Sequence, residues 1–330
     1  MKKTLPNKIL LIRFSSIGDI VLTTPVVRCL KKSYPDAEIH YLTKAKYAKV
    51  LDNNPYISKL HLLSDNLSET LSELRAERFD FVVDLHRSLR SWRVRLALRR
   101  PSATFSKLNL RKWWYVRTKR KQVMPDVHIV DRYFEAVRGL GVANDNRGLD
   151  FFTTPEADFA KPFYSYIAVV CGATYITKQI PPRLIAEIVR NAKYNFVLLG
   201  DAGDGRRIAS ECRDLPSNVR NCCGRTTLNQ SALLVQNADA VITADTGLMH
   251  IAAAFGKPTV AVWGNTTPQL GMYPYMPQCE GDAFVSVEKE LPCRPCSKLG
   301  YNRCPKGHLN CMNTITADEI LAATEKVMKR

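Results

Sequence analysis

At 330 residues, with 45% hydrophobic and 24% charged residues, the sequence predicts a globular protein with two domains, each with its own core. Its longest apolar runs are far shorter than the roughly 20 residues of a membrane span, and its basic N-terminus lacks the apolar core of a signal peptide, so we expect a cytoplasmic protein. The formal net charge of +17 predicts an anionic partner: nucleic acid, a phosphorylated substrate or an anionic membrane surface.

Strand and helix patterns alternate along the first half of the chain. An apolar run at residues 8–13 is followed by a turn at 15–19 and a helical pattern from about residue 20 to 32. Further strand patterns occupy residues 38–42, 59–63 and 79–84. Strands that alternate with helices are typical of parallel sheets, so this half predicts one doubly wound domain.

A second series of strand patterns follows a polar, turn-rich stretch at residues 143–155. Its members lie at residues 166–171, 196–200, 219–222, 240–243 and 259–263. We therefore predict two doubly wound α/β domains, residues 1–155 and 156–330. The fingerprints G-x-G-x-x-G and G-x-x-x-x-G-K-[ST] are both absent, which argues against a hydride-transfer enzyme and a P-loop NTPase.

The loop after the first strand pattern carries a glycine and a carboxylate, Gly18 and Asp19. Open α/β sheets bind their ligands at the carboxyl ends of their strands, where this loop lies. Gly18 permits a tight turn or a close approach to a ligand, and Asp19 is either a helix cap or a functional carboxylate. Because of this location, we interpret Asp19 as a candidate general base.

Residues 243–250 join a strand pattern to a helix pattern through Asp245, Thr246 and Gly247. Such a junction brings backbone N–H groups and the positive end of a helix dipole together, which favours an anion. Asp-Thr-Gly is also the catalytic triplet of aspartic proteases. Those enzymes are all-β and need two triplets, whereas this chain has one within an α/β pattern, so we reject that interpretation.

Two more loops that follow strand patterns carry polar side chains. Residues 171–178 combine small residues with the Thr174 hydroxyl and the Lys178 ammonium, a set suited to phosphate. Asp201 and Asp204 follow the next strand, where carboxylates bind ribose hydroxyls. Solvated side chains are the alternative for both loops.

Cations and aromatic residues are concentrated in two segments of the predicted first domain, residues 87–100 and 111–121. This combination suits the interface of an anionic membrane, and nucleic acid would select the same charges. The sequence contains no recognised nucleic-acid module, so we favour the membrane. A solvated basic face is the alternative for residues 117–121.

Four of the ten cysteines lie close together near the C-terminus. A cytosolic chain of this size predicts free or metal-bound thiols rather than disulfides. Cys293 and Cys296 form a C-x-x-C pair, followed by Cys304 and Cys311. The spacing predicts either a tetrahedral structural zinc site or reduced thiols, because the second pair is not C-x-x-C.

Residues 9–19, the loop at 174–178 and, above all, residues 245–258 with 264–268 together resemble glycosyltransferase family 9. Its members include the ADP-heptose:lipopolysaccharide heptosyltransferases. The resemblance extends from about residue 8 to the C-terminal helix. It implies the GT-B architecture: two Rossmann-like domains that face each other, the first binding the acceptor and the second the nucleotide-sugar donor. It also implies that the last helix, about residues 317–330, packs back on the N-terminal domain.

The resemblance further implies a single displacement that inverts the anomeric configuration. Asp19 matches the family's catalytic base, which takes the proton of the acceptor hydroxyl, and Lys178 matches the lysine beside the donor phosphates. The donor-binding positions that the motifs imply are Thr174, Asp204, Asp245, Thr246, Gly247 and His250.

On the acceptor side, the family often carries a histidine and, four residues later, an arginine, which His128 and Arg132 match. Positions i and i+4 share one face of a helix, where they would meet an anionic sugar acid or phosphate. An ordinary exposed helix is the alternative. The predicted acceptor contacts are Ser16, Gly18, Arg87, Arg90, His128 and Arg132.

We therefore predict an inverting transferase that moves a heptose or related sugar from an ADP-sugar to a lipid-linked, anionic lipopolysaccharide core at the inner membrane. Gln179 and Ile180 replace the basic and aromatic residues expected after Lys178, so a hexose or another heptose stays open. We expect no nucleic-acid partner and no cofactor in catalysis, with zinc in a structural role only. The alternatives are a GT-B sugar-nucleotide epimerase and a non-enzymatic, basic nucleic-acid-binding protein.

Overall fold

The two predicted series of strands form two separate sheets in a computed structural model of the chain, which describes residues 6–156, 159–212, 214–279 and 283–329. The strands are β1 Lys8–Ile12, β2 Glu38–Thr43, β3 Lys59–Leu62, β4 Phe81–Asp84, β5 Ser102–Thr104, β6 Ile167–Val170, β7 Phe196–Leu199, β8 Val219–Asn221, β9 Ala240–Ala244, β10 Thr259–Trp263 and β11 Phe284–Glu288. The α-helices are α1 Ile17–Val21, α2 Thr24–Ser33, α3 Leu67–Ala76, α4 Leu89–Leu98, α5 Asn109–Thr118, α6 Ile129–Tyr133, α7 Pro182–Val189, α8 Ala202–Glu211, α9 Leu228–Gln236, α10 Gly247–Ala254, α11 Asn310–Asn313 and α12 Ala317–Met328. Short 3-10 helices occupy Ala45–Val50, Lys121–Val123, Phe134–Ala136, Arg138–Leu140, Ile176–Lys178 and Pro268–Leu270.

All strand pairs in both sheets are parallel, and both sheets are doubly wound, which confirms the predicted fold class. The first sheet has the order β3-β2-β1-β4-β5, and the second has the order β11-β10-β9-β6-β7-β8. The strand order reverses between β1 and β4 in the first sheet and between β6 and β9 in the second. Ligands of such sheets bind at the carboxyl ends of the strands beside the reversal, so the loops after these four strands are where a site is expected.

The central strands are buried on both faces, which explains their continuous apolar sequence. In β9, for example, Ile242 packs into the core on one side of the sheet and Val241 into the core on the other. The sequence patterns do not reveal β5 and β11, which lie at the edges of their sheets and are only partly buried. An edge strand needs no continuous apolar run, so periodicity gives no clear signal for it.

The chain divides into a first unit, Met1–Lys107 with Val127–Phe152, and a second unit, Leu108–Asp126 with Thr153–Arg330. The basic segment at residues 111–121 thus belongs to the second unit and not to the first domain as the sequence predicts. Its α5 is held there by the buried Tyr115, whose hydroxyl lies 3.2 Å from Thr267 Oγ1. Tyr115 and Thr267 are far apart in the sequence. A domain boundary predicted from turn residues alone therefore cannot show that residues 108–126 belong to the second unit.

The last helix, α12, packs within the second unit, where the sequence predicts contact with the N-terminal domain. Its apolar face contributes Ile320, Ala323 and Val327 to the same core as Ile242 of β9 and Val260 of β10. These three positions lie at i, i+3 and i+7, the spacing of one helix face. The apolar stripe requires a covering partner, and the second sheet supplies it.

Candidate active site

In the first unit, the loop after β1 is organised around a buried arginine. The Arg13 guanidinium donates hydrogen bonds to the carbonyls of Ser15 at 2.8 Å and Leu85 at 2.6 Å, which ties together the loops after β1 and β4. Its Nη2 also pairs with Asp19 Oδ1 at 2.5 Å. The second oxygen of Asp19 accepts hydrogen bonds from Ser16, from the backbone N–H at 3.2 Å and from the hydroxyl at 2.8 Å. Arg13 therefore fixes the carboxylate beside the reversal point of the sheet.

These contacts determine the protonation state of Asp19. Burial opposes its ionisation, but the Arg13 guanidinium and the hydrogen bonds from Ser16 outweigh burial and hold the pKa of Asp19 below its usual range. The carboxylate is thus ionised at neutral pH, as a general base must be, while its low pKa makes it a weak one. The contact with the Ser16 N–H also closes the capping box of α1, so Asp19 is part of a helix cap, and its role as a functional carboxylate stays a prediction.

The loop after β4 adds a histidine that the sequence motifs do not indicate. Asp84 Oδ1 accepts the backbone N–H groups of His86 at 2.9 Å and Arg87 at 2.7 Å, and the His86 ring lies against Phe14 with centroids 4.6 Å apart. Burial and the positive charge of Arg13 lower the pKa of His86 to about 3. His86 is therefore a neutral imidazole at the carboxyl edge of the first sheet. The only feature of the sequence that could have indicated His86 is its position directly after the central strand β4.

The other predicted acceptor positions in the two loops differ in exposure. Ser16 is exposed and Gly18 is buried within α1. Arg87 and Arg90 are exposed, and Arg87 Nη1 donates to the Phe105 carbonyl at 2.9 Å. Arg90 is thus exposed to solvent, whereas the Arg87 guanidinium contacts the loop after β5.

His128 and Arg132 do not form an exposed helical pair, so the exposed-helix alternative is wrong. Both side chains are buried, and His128 precedes α6 as its N-cap, where Nδ1 accepts the Val130 N–H at 3.2 Å. Arg132 Nη1 donates to the Ser106 carbonyl at 3.3 Å, while Nε and Nη2 have no hydrogen-bond partner among the described residues. Burial lowers the pKa of Arg132. A buried guanidinium with two nitrogens that make no hydrogen bond within the described residues is suited to an anionic ligand.

In the second unit, the loops after β6 and β9 meet in an ion pair. Lys178 Nζ lies 2.5 Å from Asp245 Oδ2, which also accepts the Thr266 hydroxyl at 3.0 Å. Directly after Asp245, α10 begins at Gly247, and the side chain of its N-cap, Thr246, does not cap it. The N-terminus of α10 and the Lys178 ammonium, which is paired with Asp245 in this structure, therefore lie at the same carboxyl edge of the sheet. The structure brings these sequence-predicted residues together.

The lysine loop is braced by a buried threonine that the sequence motifs do not single out. Thr177 Oγ1 lies 2.9 Å from Asn265 Oδ1 and accepts the Tyr301 N–H at 2.8 Å. Asn265 follows Gly264, where any larger residue would overlap the Thr177 carbonyl. Asn265 Nδ2 is buried without a hydrogen-bond partner in the part of the chain that the structure describes. By contrast, the predicted Thr174 is exposed.

Two other predicted donor contacts are buried. Asp204 closes a capping box at the start of α8, accepting the Asp201 N–H at 2.9 Å, and it pairs with Arg207. Its carboxylate fills the space beside Gly172 and Gly200, where a Cβ atom would overlap it. His250 lies buried in the first turns of α10. Ribose contact by Asp204 and donor contact by His250 stay predictions.

The four clustered cysteines are near one another without converging on one point. Cys296 Sγ donates to the Cys293 carbonyl at 3.0 Å, and burial raises the pKa of Cys296 and of Cys311 to about 11. Within the described ranges, no three of their sulfur atoms form a metal-ligand group. At Cys304, burial opposes ionisation, but the backbone N–H groups of residues 306–309 outweigh burial and lower the pKa. Zinc at these cysteines stays a prediction.

Comparison with known proteins identifies the family. The family model of Glycosyltransferase family 9 (heptosyltransferase) matches residues 69–299, well over half of the chain. The chain belongs to glycosyltransferase family 9. It is therefore an enzyme, a glycosyltransferase, as the motifs predict, and the nucleic-acid-binding alternative is excluded as its primary class.

Individual family 9 proteins match over nearly the whole chain. Lipopolysaccharide heptosyltransferase 3 of Escherichia coli (strain K12) is 25% identical and covers 94% of this chain and 95% of its own length. The structure of E. coli ADP-heptose lps heptosyltransferase II aligns with a TM-score of 0.72, 21% identity and 98% coverage of both chains. E. coli heptosyltransferase WaaC with ADP aligns with a TM-score of 0.69 and 18% identity, covering 97% of this chain and 99% of that one. The predicted GT-B fold class is confirmed.

None of the described helices is both long enough and apolar enough to cross a membrane.

Proposed function

We propose that this chain is an inverting glycosyltransferase that moves a heptose, or a related sugar, from an ADP-sugar to an anionic lipopolysaccharide core acceptor at the cytoplasmic face of the inner membrane. Family membership supports the reaction class. The observation that carries the proposal is that the Lys178–Asp245 ion pair meets the N-terminus of α10 at the reversal point of the second sheet, where phosphate oxygens can replace the Asp245 carboxylate.

The donor assignment combines this site with the relatives. Two of the similar solved structures carry ADP-heptose or ADP in their names. An ammonium and a helix N-terminus together suit the negative charge of a nucleoside diphosphate. On donor binding, Lys178 exchanges its partner, Asp245, for phosphate oxygens. Thr177 and Asn265 keep the lysine loop in place during that exchange.

The reaction is a single displacement. The acceptor hydroxyl oxygen forms a bond to the anomeric carbon as the bond from that carbon to the diphosphate oxygen breaks. The hydroxyl proton passes to Asp19, and the bonding electron pair leaves with the diphosphate. Lys178 and the amide groups of α10 stabilise that developing charge, so the chain needs no metal cofactor for this step.

The acceptor assignment depends on the buried arginine of the first unit. Two guanidinium nitrogens of Arg132 have no protein hydrogen-bond partner among the described residues, and a charged sugar carboxylate or phosphate is the ligand class that matches them. The ionised Asp19 would repel such an anion, but Arg13 neutralises it. An anionic core glycan fits this balance of charge.

The donor is tested by thermal unfolding of the purified chain with ADP, GDP and UDP and their sugars. At a hundredfold excess over Kd, a ligand of the folded state stabilises it by about 2.7 kcal/mol, which raises Tm by about 5 °C or more. We expect this rise for ADP and ADP-heptose. ADP release should then require a lipopolysaccharide core acceptor.

Three results would contradict parts of this proposal. Sugar isomerisation without acceptor would identify an epimerase. A larger rise in Tm with GDP or UDP than with ADP would mean that the donor carries guanine or uracil instead of adenine. The assignment of a nucleoside-diphosphate donor fails if no nucleotide changes Tm.

Contact with an anionic membrane is proposed from α5. Leu110, Trp113 and Trp114 lie at i, i+3 and i+4 on one face, with exposures of 84%, 60% and 47%. The opposite side is anchored through the buried Tyr115. Neighbouring cations include the exposed Arg111, Arg117, Arg120 and Lys121. An aromatic face bordered by cations is the composition of an interfacial helix.

A similar stripe occurs in the first unit. Leu89, Trp92 and Leu96 lie at i, i+3 and i+7 of α4, each at least half exposed, and Arg90 and Arg93 flank them. Each unit thus carries its own membrane-binding helix in this proposal.

Membrane binding is measured by co-sedimentation with phosphatidylglycerol-containing vesicles. We expect salt-sensitive binding of the wild type, because cations contribute about 1 kcal/mol each near an anionic surface. The double substitution Trp113→Ser/Trp114→Ser should weaken binding at least about tenfold, since two indoles lose their interfacial burial. Tyr164→Ser is the matched control, an exposed aromatic of the same unit at 94% exposure, and should bind normally. Equal binding by the double variant and the wild type would contradict the role of α5.

A further inference from the structure

Two buried histidines of the first unit face each other beneath α3. His40 on β2 and His61 on the neighbouring edge strand β3 are 2% and 1% exposed. Their ring nitrogens His40 Nδ1 and His61 Nε2 are 2.9 Å apart. The edge of the Phe79 ring lies against both imidazoles, with centroids 5.2 and 6.0 Å away. The pair is distant in sequence from every residue of the proposed active site.

The outer nitrogen of each ring is committed to a carboxylate. His40 Nε2 lies 3.0 Å from Glu38 Oε2, and His61 Nδ1 lies 2.5 Å from Glu73 Oε1. An ionised carboxylate only accepts hydrogen bonds, so each outer nitrogen must carry its hydrogen. In a neutral imidazole the other nitrogen then has a lone pair and no hydrogen. The two facing nitrogens thus direct two lone pairs at each other across 2.9 Å, an arrangement that calls for a cation between them.

A third ligand atom stands beside this pair. Glu77 Oε2 lies 4.0 Å from His40 Nδ1, and the two nitrogens and this oxygen are all within 4.8 Å of one another. Around a tetrahedral zinc ion, ligand atoms are separated by about 3.3 Å, because the metal–ligand distances are about 2.1 Å. Shifts of about an ångström would bring the three atoms to that spacing. A bridging proton would involve the two nitrogens alone, whereas a metal ion would also use the Glu77 carboxylate beside them.

We propose that His40, His61 and Glu77 bind a divalent transition-metal ion of the zinc class, with water as the fourth ligand. Two imidazoles and one carboxylate are a ligand set that zinc favours. Glu38 and Glu73 are the hydrogen-bonded carboxylates that metal-bound histidines regularly carry on their other nitrogen. The site is separate from the four cysteines, which the sequence motifs single out.

The surrounding charges permit a cation here. Lys8 binds Glu77 at 2.9 Å and Glu38 at 3.0 Å, and Lys59 binds Glu77 at 2.6 Å. Three carboxylates thus surround two ammonium groups, which leaves the cluster net negative before a metal enters. A carboxylate has about four lone-pair sites, so Glu77 can ligate a metal while it retains both lysines. The ion would fasten the edge strand β3 to β2 and to the end of α3.

The test uses the full chain, stripped with a chelator and titrated with Zn²⁺ and then Co²⁺. All four cysteines from Cys293 to Cys311 are first changed to serine, so that thiols cannot supply a site. We expect one equivalent of Zn²⁺ in this background, with a Tm rise of about 5 °C at a hundredfold excess over Kd. Co²⁺ should give visible absorption without a thiolate charge-transfer band.

Two variants and a control assign the ligands. His61→Gln in the serine background should lose the bound equivalent. Glu77→Gln, closer to the surface and safer for folding, should weaken Zn²⁺ at least about tenfold. Glu69→Gln is the matched control on α3, because Glu69 contacts Ser64 and Asn66 instead. Failure of the serine background to bind Zn²⁺, or unchanged binding by Glu77→Gln, would overturn the proposal. A pH-dependent Tm with no bound metal would mean a shared proton instead. None of these readouts depends on the transferase activity.

Discussion

Replacing Asp19 with asparagine should reduce kcat by about 10²- to 10⁴-fold, the usual contribution of a general base. Asparagine keeps the shape of the side chain and can still accept a hydrogen bond from Ser16, but it cannot take a proton. Donor affinity should be unchanged, because the charges proposed to bind the donor belong to the other unit. Single-turnover transfer with ADP-heptose measures the rate, and Tm shifts with ADP measure donor binding separately.

The control for Asp19→Asn must remove the charge of a cation-paired, helix-capping carboxylate without changing the proposed site. Glu319→Gln does so, because Glu319 also occupies the third position of a capping box and also pairs with a cation, Lys289. It should keep full kcat. A rate for Asp19→Asn within a few-fold of wild type would refute the general-base role. Equal losses in both variants would reveal a folding defect instead.

The pH dependence of the wild type offers a second check on Asp19. Its pKa lies below the ordinary 3.8, so the acid limb of kcat/KM that reports this residue should lie below pH 3.8. The sign for stability follows from the same shift. A folded-state pKa below the unfolded one contributes stability that is present above the unfolded pKa and lost as the pH falls through the folded pKa. The stability difference between wild type and Asp19→Asn should therefore shrink below about pH 4.

Replacing Lys178 with glutamine should reduce kcat by about 10²- to 10³-fold, comparable to the loss of one group that stabilises transition-state charge. The reason is the departing diphosphate, whose negative charge increases as the glycosidic bond breaks. Donor affinity should also fall, since Lys178 meets phosphate in the ground state too. Steady-state kcat and KM with ADP-heptose separate these two effects.

Lys193→Gln is the matched control for Lys178. Lys193 is likewise an ion-paired lysine of the second unit, 2.6 Å from Glu325, but it is exposed and far from the loops after β6 and β9. Its substitution should leave kcat and KM unchanged. Unaltered kcat in Lys178→Gln would mean that α10 alone stabilises the leaving group. If Asp245→Asn restored part of the lost rate in a double variant, the unpaired carboxylate would account for that part of the loss.

Two residues of the candidate site that the sequence motifs did not indicate depend on contacts between distant parts of the chain. His86 lies near the loop after β1 because β4 pairs with β1. Thr177 braces the lysine loop because it hydrogen-bonds Asn265 and Tyr301. Capping is different. The spacing of Asp201 and Asp204 is that of a capping box, which was readable in the sequence, whereas we predicted ribose contacts there.

The sequence by itself determined the alternation of strands and helices, the doubly wound fold class and the membership of glycosyltransferase family 9. It could do so because parallel strands buried on both faces must be continuously apolar, and because loops that follow them carry short local motifs. Only the tertiary structure decided that α5 and α12 pack in the second unit, that Lys178 pairs with Asp245, and that His40 faces His61. Those contacts join residues distant in the chain, and their free energy depends on which strands become neighbours, which periodicity does not encode.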